Sequence, residues 1–210
     1  MRRTLLVTTA FALALTGCGG GSDPDAGTRP EPTEVATVAV ETGTEPGTDL
    51  SFGDPATLVW KPSLEVTGEL ELSVDAVAEQ RRSVFDGWTQ GEAMADARPY
   101  FVTVSLTNTG ESDLAGQVVP LYLRDDRGTL GAPWTLDGDF AACQSGPLPT
   151  PFAPGDSAEI CLVFLAPDGA HVEDVVFEPT EGYDPISWTG EVAAPRKKKP
   201  GRAARRTGRG

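Results

Sequence analysis

Histidine is almost absent from this 210-residue chain, and that scarcity limits the chemistry available to it. A serine nucleophile usually needs a histidine base beside it, and the single histidine, His171, follows a turn sequence at residues 167–169. The chain also lacks a G-x-S-x-G elbow, an H-E-x-x-H motif, a P-loop and a G-x-G-x-x-G loop. We therefore predict that the protein is not an enzyme, has no catalytic residue and needs no cofactor.

Long apolar runs are missing too. The run at residues 5–15 has 11 residues, whereas a helix that crosses a bilayer needs about 20. Arg2 and Arg3 precede it and small residues follow it, which is the order of an export signal. The sequence predicts a signal peptide over residues 1–17, and it leaves open whether export uses the general secretory or the twin-arginine route.

The LTGC sequence at residues 15–18 resembles the lipobox of bacterial lipoproteins. In that family the cysteine thiol receives a diacylglycerol and the chain is cleaved just before it. The resemblance implies that Cys18 becomes the first residue and anchors the protein in the outer leaflet of the cytoplasmic membrane, on its extracytoplasmic face. The alternative is an unmodified cysteine in an ordinary secreted protein.

Basic residues are scarce in the body of the chain. Residues 18–195 hold seven of the 17 basic residues and all 31 acidic ones, so the net charge of −14 hides a strong segregation. So acidic a body repels nucleic acid, and we expect no nucleic-acid partner. Only four lysines, one asparagine and two isoleucines are present, a bias typical of a GC-rich genome, so we expect a high-GC Gram-positive bacterium.

Residues 18–50 are rich in glycine, proline, threonine and acid, with mostly isolated apolar residues. Such a segment buries too little apolar surface to offset its ordering entropy. We predict a disordered linker between the lipid and a folded domain. The alternative is a short edge strand in VATVAV, residues 35–40.

Strict alternation of apolar and polar residues predicts β-strands in residues 51–190. In ELELSVDA and YFVTVSLT, alternate positions should face a core: Leu70, Leu72, Val74 and Ala76, then Tyr100, Val102, Val104 and Leu106. Further apolar runs lie at residues 56–60, 118–123, 159–165 and 172–178. Turn sequences separate these runs, and the nearest approach to a helical pattern is TQGEAMADA, residues 89–97. The pattern predicts an all-β antiparallel sandwich.

Five segments carry a family resemblance: SFGDPATLVW, ELELSVDAV, YFVTVSLTNTGESDL, PFAPGDSAEICLVFLAP and EGYDPISWTG. Together they resemble the immunoglobulin-like sandwich domain of actinobacterial and other Gram-positive lipoproteins, a type similar to the mycobacterial immunoprotective secreted antigens. The resemblance covers residues 51–190 and implies an immunoglobulin-like fold at the cell surface, with no particular activity. The basic tail departs from that pattern.

Cys143 and Cys161 form an even pair in an exported chain, 18 residues apart. We predict a disulfide between them, worth about 3 kcal/mol on the chain-entropy model. The alternative is a reactive or metal-binding thiol pair, although no C-x-x-C spacing is present and we predict no metal site.

Two tryptophans stand in predicted loops, Trp88 in DGWTQGE and Trp134 in GAPWTLDG. Large aromatic side chains on loops often anchor ligands, so both are candidate binding residues. The alternative is that they fold back over the ends of the sandwich. Carboxylates at residues 125–126 and 137–139 offer oxygen ligands for calcium, but too few for a complete site, and we expect solvated turns there.

Residues 191–210 should form a disordered basic tail. Its eight cations have no acidic neighbour within residues 196–210. They are Arg196, Lys197, Lys198, Lys199, Arg202, Arg205, Arg206 and Arg209. We expect an electrostatic tether to anionic envelope polymer, lipid head groups or an acidic protein surface; the alternative is a solubilising tail without a partner.

Together these features predict a lipid-anchored surface protein whose immunoglobulin-like domain mediates non-enzymatic binding or envelope-associated interactions, with an unknown protein partner. One alternative is an envelope hydrolase or enzyme accessory with an unrecognised acidic site. Another is a small-ligand carrier, which requires a cavity between the two sheets.

Overall fold

The computed structural model describes residues 43–88, 92–136, 138 and 140–195, and nearly all of their regular structure is β. The strands are β1 (Asp49–Ser51), β2 (Pro55–Trp60), β3 (Gly68–Glu79), β4 (Arg98–Asn108), β5 (Leu121–Asp125), β6 (Leu130–Gly131), β7 (Ser157–Ala166), β8 (Val172–Phe177), β9 (Ile186–Thr189) and β10 (Val192–Ala193). A 3-10 helix, Arg82–Phe85, and a short α-helix, α1 (Glu92–Asp96), lie between β3 and β4. No helix among the described residues is long and apolar enough to span a membrane.

The strands form two sheets. Sheet A has the order β1-β9-β8-β5-β6, and sheet B has the order β10-β3-β4-β7 with β2 also paired to β3. The β1–β9 and β10–β3 pairs are parallel, and the remaining pairs are antiparallel. Side chains from both sheets, such as Leu72 and Val104 of sheet B and Val175 and Trp188 of sheet A, form one hydrophobic core. The predicted all-β, two-sheet sandwich is therefore confirmed.

From Tyr100 to Asn108, strand β4 follows the predicted alternation. Its four predicted core residues, Tyr100, Val102, Val104 and Leu106, are each at most 3% exposed. The residues between them, 101, 103, 105 and 107, are only partly buried. Because successive strand residues point to opposite faces, the sequence pattern alone fixes which face of β4 is buried.

Strand β3 keeps this alternation only as far as Val74. The prediction that Ala76 faces the core is wrong, because Ala76 is exposed and Val77 is 1% exposed. The register of β3 against β4 shifts between Val74 and Ala76, which leaves Asp75 as an extra, bulged residue. One extra residue moves every later side chain to the other face of the sheet.

The described sheets extend past the predicted domain boundaries at residues 51 and 190. Strand β1 begins at Asp49, and the Thr44 N–H donates to the Thr57 carbonyl oxygen at 2.7 Å. At the other end, β10 pairs with Val77 and Ala78 of β3. Residues 43–50, assigned to the linker, and 191–195, assigned to the tail, therefore belong to the described domain. The predicted signal peptide, Cys18, the rest of the linker and residues 196–210 lie outside the described residues.

A second, smaller hydrophobic cluster lies against the outward face of sheet B. Its buried members are Phe85, Met94, Phe140, Cys143 and Val163. The Phe140 ring is central, with its centroid 5.5 Å from that of Phe85 and 6.0 Å from that of Phe101. This cluster holds the helical segment and the long connection after β6 against β4 and β7.

The disulfide lies within this second cluster. Cys143 and Cys161 are bonded, with their Cα atoms 5.2 Å apart, which confirms the predicted bridge. Cys161 belongs to β7, and Cys143 belongs to the connection that precedes it. The bridge therefore fastens that connection to the edge strand of sheet B.

Candidate binding groove on sheet B

The outward face of sheet B carries acids and hydroxyls in the part that the second cluster leaves uncovered. Its side chains are Glu71, Ser73 and Asp75 of β3, Thr103, Ser105 and Thr107 of β4, and Ser157 and Glu159 of β7. They alternate with buried core residues, so the pattern that builds the core also places them outward. None of the outward positions of these three strands holds a basic residue.

Two shallow depressions on this face share Glu159. The first, of about 330 Å³, is lined by Pro55, Glu71, Ser73, Ser105, Leu106, Thr107, Ser157, Ala158 and Glu159. The second, of about 500 Å³, is lined by Thr103, Gln144, Pro147, Pro149, Glu159, Ile160 and Cys161. We call the two together, with the neighbouring carboxylate of Asp75, the acidic groove. It crosses strands β3, β4 and β7.

Hydrogen bonds hold the polar groups of the acidic groove in place. Ser73 Oγ donates to Asp75 Oδ1 and Ser105 Oγ donates to Asp75 Oδ2, each at 2.6 Å. The bulge thus presents a carboxylate that bridges β3 and β4. The hydroxyls of Thr107 and Ser157 lie 2.9 Å apart and join β4 to β7. Polar groups fixed on strands lose little freedom when a ligand binds.

The carboxylates of the acidic groove are not neutralised by the ion pairs of the described side chains. Those pairs are Arg82 with Asp168, Arg98 with Glu79, and Arg124 with Asp174. None of them includes Glu71, Asp75 or Glu159. Like charges gathered on one face produce a negative potential that attracts cationic partners.

His171 is exposed in the loop that precedes β8. Its Nδ1 lies 3.4 Å from Arg98 Nη1, and its backbone N–H donates to Asp126 Oδ1 at 3.2 Å. Arg98 and Ser105 stand seven residues apart on β4, which corresponds to about 23 Å. His171 is therefore too far from the groove hydroxyls to act as a base toward them.

The two candidate tryptophans lie beside β7 rather than in the acidic groove. Trp88 is half-buried, and its ring contacts Phe140 edge-on with centroids 5.1 Å apart. Trp134 is 38% exposed, and its backbone N–H donates to the Val163 carbonyl oxygen at 2.7 Å. Neither lines either depression, so their role as binding residues stays a prediction.

Asp125 closes the turn between β5 and β6. Its Oδ1 accepts the backbone N–H groups of Arg127 at 3.0 Å and Thr129 at 2.8 Å, and Gly128 takes the φ of 76° that the turn requires. The expectation of a solvated carboxylate is wrong here, because Asp125 is 1% exposed. The Thr129 and Arg127 N–H donors hold the pKa of Asp125 below its usual value, the Thr129 N–H most strongly. Asp126 is exposed.

No group of three or more His, Cys, Asp or Glu side chains among the described residues is arranged to hold a metal ion. Asp137 and Asp139 lie outside the described residues. Asp125 is therefore explained by the turn that it closes.

Three further groups have shifted pKa values for structural reasons. Burial raises the pKa of Tyr100, with a smaller contribution from Glu79, and burial also raises that of Tyr183. A hydrogen bond to Asp174 raises the pKa of Arg124. None of these three groups lines the acidic groove.

The open edge between the two sheets also contains a cavity. It measures about 200 Å³ and is lined mainly by apolar groups, with Leu123 and Leu130 from sheet A and Leu165 from sheet B. Typical small-molecule sites have volumes of about 300–1,000 Å³. This cavity gives the small-ligand carrier less support than the acidic groove gives surface binding.

The residues of the acidic groove were not singled out from the sequence. The alternation of ELELSVDA that directs Leu70 and Leu72 to the core also directs Glu71 outward, and Glu71 is exposed. The alternation does not show which strands are neighbours. Strand β7 pairs with β4 although about fifty residues of chain separate them.

No family model, no curated protein and no solved structure matches the chain. The functional interpretation therefore depends on the residues of the groove, on their surroundings and on the sequence motifs.

Proposed function

We propose that the chain is a lipid-anchored extracytoplasmic protein whose immunoglobulin-like domain binds a partner without catalysis, through the acidic groove. The observation that supports this best is the groove itself. Glu71, Asp75 and Glu159 lie on one face of sheet B, and the outward positions of β3, β4 and β7 hold no basic residue. The one histidine that could serve as a base lies at a distance from it.

The chemistry of the groove defines the kind of partner. Carboxylates and hydroxyls recognise groups that carry positive charge or donate hydrogen bonds. Both depressions are shallow and continue one another across Glu159, so an extended basic peptide segment fits them better than a compact small molecule. We therefore propose a basic segment of an envelope protein as the partner.

The immunoglobulin-like assignment is supported by the strand order. Distant strands become neighbours in each sheet, β5 with β8 and β4 with β7, which requires the long connections of a Greek-key arrangement. The disulfide differs from the inter-sheet bridge of antibody domains, because it ties a connection to β7.

Anchoring through Cys18 is tested by detergent phase partition of the exported protein and its Cys18→Ala variant. A diacylated cysteine carries the protein into the detergent phase, because every buried methylene contributes about 0.8 kcal/mol. We expect the wild type in the detergent phase and the variant in the aqueous phase. Equal recovery of both in the aqueous phase would contradict the anchor.

Groove binding is tested with purified cell envelope and a variant that carries Cys18→Ala and ends at Pro195, so that neither the lipid nor the basic tail contributes. In it, Glu71→Gln together with Glu159→Gln removes two groove charges, and Glu65→Gln together with Glu181→Gln removes two exposed charges elsewhere. Two charge pairs lost at a surface correspond to a roughly tenfold weaker affinity at low salt.

The second double variant is the matched control, because it removes the same number of negative charges from the protein. We expect it to bind like the unsubstituted protein. Equal binding by the groove variant and its control would show that the groove is not the binding surface.

A further inference from the structure

We propose that the basic tail of the protein, residues 196–210, docks in the acidic groove of the same chain. This uses the surface assigned above but requires no external partner. The proposed occupant of the groove is therefore the tail itself, which would compete with an external partner for the groove. Charge complementarity and the point at which the tail leaves the domain both support it.

The tail leaves from the sheet that bears the groove. Strand β10 pairs with β3 in parallel, Val192 opposite Val77 and Ala193 opposite Ala78. The same strand β3 carries Glu71 and Asp75 on its outward face. The chain therefore enters the tail beside the strand that supplies two of the three groove carboxylates.

The tail is long enough to reach the groove. Ala78 and Glu71 are seven residues apart on β3, or about 23 Å, and 15 extended residues span up to about 50 Å. Residues 196–210 can therefore turn back along the sheet and still cross toward β7. Because the tail is covalently attached, its effective concentration at the groove is in the millimolar range.

Charge matches the tail to this face rather than to the other. The tail has eight basic residues and no acidic one, and the outward positions of β3, β4 and β7 have carboxylates and no basic residue. Sheet A also carries acids, Asp49, Glu173 and Asp174, but Arg124 lies among them and pairs with Asp174, so part of their negative charge is neutralised. The docking should weaken as salt rises, because the Debye length is only about 8 Å at physiological salt.

Docking in the same chain has a consequence for binding. A bound tail competes with any cationic partner, so the apparent affinity for that partner falls by the fraction of grooves that the tail leaves free. Anionic polymer or lipid that binds the tail would release the groove.

Limited proteolysis of the full chain, purified in neutral detergent, tests the docking. Trypsin cuts after lysine and arginine, so the rate of tail cleavage measures the fraction of molecules in which the tail is undocked. At low salt, the Glu71→Gln and Glu159→Gln double variant should lose its tail about tenfold faster than the wild type. At high salt the two rates should become equal, and the Glu65→Gln and Glu181→Gln control should behave like the wild type.

Equal tail-cleavage rates in all three proteins at low salt would overturn the docking. Protection of the tail that requires added envelope and is unchanged by the groove substitutions would also overturn the docking. That result would show that the tail binds the envelope. Because the proposed function is tested in a variant without the tail, either proposal can fail while the other stands.

Discussion

Removing the disulfide should destabilise the domain by an amount that follows from its position. The change is Cys143→Ala together with Cys161→Ala, which leaves no free thiol in the domain. With the bonded cysteines 18 residues apart, the chain-entropy model gives a loss of about 3 kcal/mol at 25 °C. Cys143 is 3% exposed within the second cluster, so alanine also leaves some unfilled space there.

Guanidinium unfolding followed by tryptophan fluorescence measures this loss. We expect the free energy of unfolding to fall by about 3 kcal/mol and the denaturant dependence to increase, since the unfolded chain without the bridge exposes more surface. The wild type unfolded in the presence of a reductant serves as the control and should give a similar loss. A loss below about 1 kcal/mol would show that the bridge constrains the unfolded chain little.

Three further outcomes follow from individual residues. In urea unfolding, the stability difference between wild type and Asp125→Asn should shrink as the pH falls from 3.8 toward the lower folded-state pKa of Asp125, because its carboxylate contributes its full stability only above the unfolded value of 3.8. In the same assay, Ala76→Lys should change stability by less than about 0.5 kcal/mol, whereas Val77→Lys buries a charge and should prevent normal folding; equal tolerance would contradict the bulge. His171→Ala should leave stability within about 0.5 kcal/mol, and loss of a hydrolytic activity in that variant would refute the non-enzymatic reading.

The long strands were predictable because their alternation is a local signal. Strand β4 alternates apolar and polar residues from Val102 to Thr107, and burial of one face of a sheet requires that repeat. The disulfide was predictable for another reason, since two cysteines remain once Cys18 is assigned to the lipid and export favours their pairing. Both inferences needed nothing beyond nearby residues or composition.

The short strands and the groove depended on distant parts of the chain. Strands β1 and β10 have three and two residues, too few to show a period, and each pairs in parallel with a strand far away in sequence. The alternation of apolar and polar residues up to Val74 does not reveal the bulge at Asp75. Prediction of the groove required the bulge at Asp75 and the order of the strands. Its carboxylates come together only when β3, β4 and β7 are placed side by side.

Cross-linking from a single defined position in intact cells tests the central claim most directly. A photoreactive side chain in place of Ser157, which is exposed and lines the acidic groove, should capture the partner of the protein. The same side chain in place of Thr180, exposed on the loop before β9, should capture none. Glu71→Gln with Glu159→Gln should reduce the Ser157 product, whereas equal products from both positions would contradict a binding surface on sheet B.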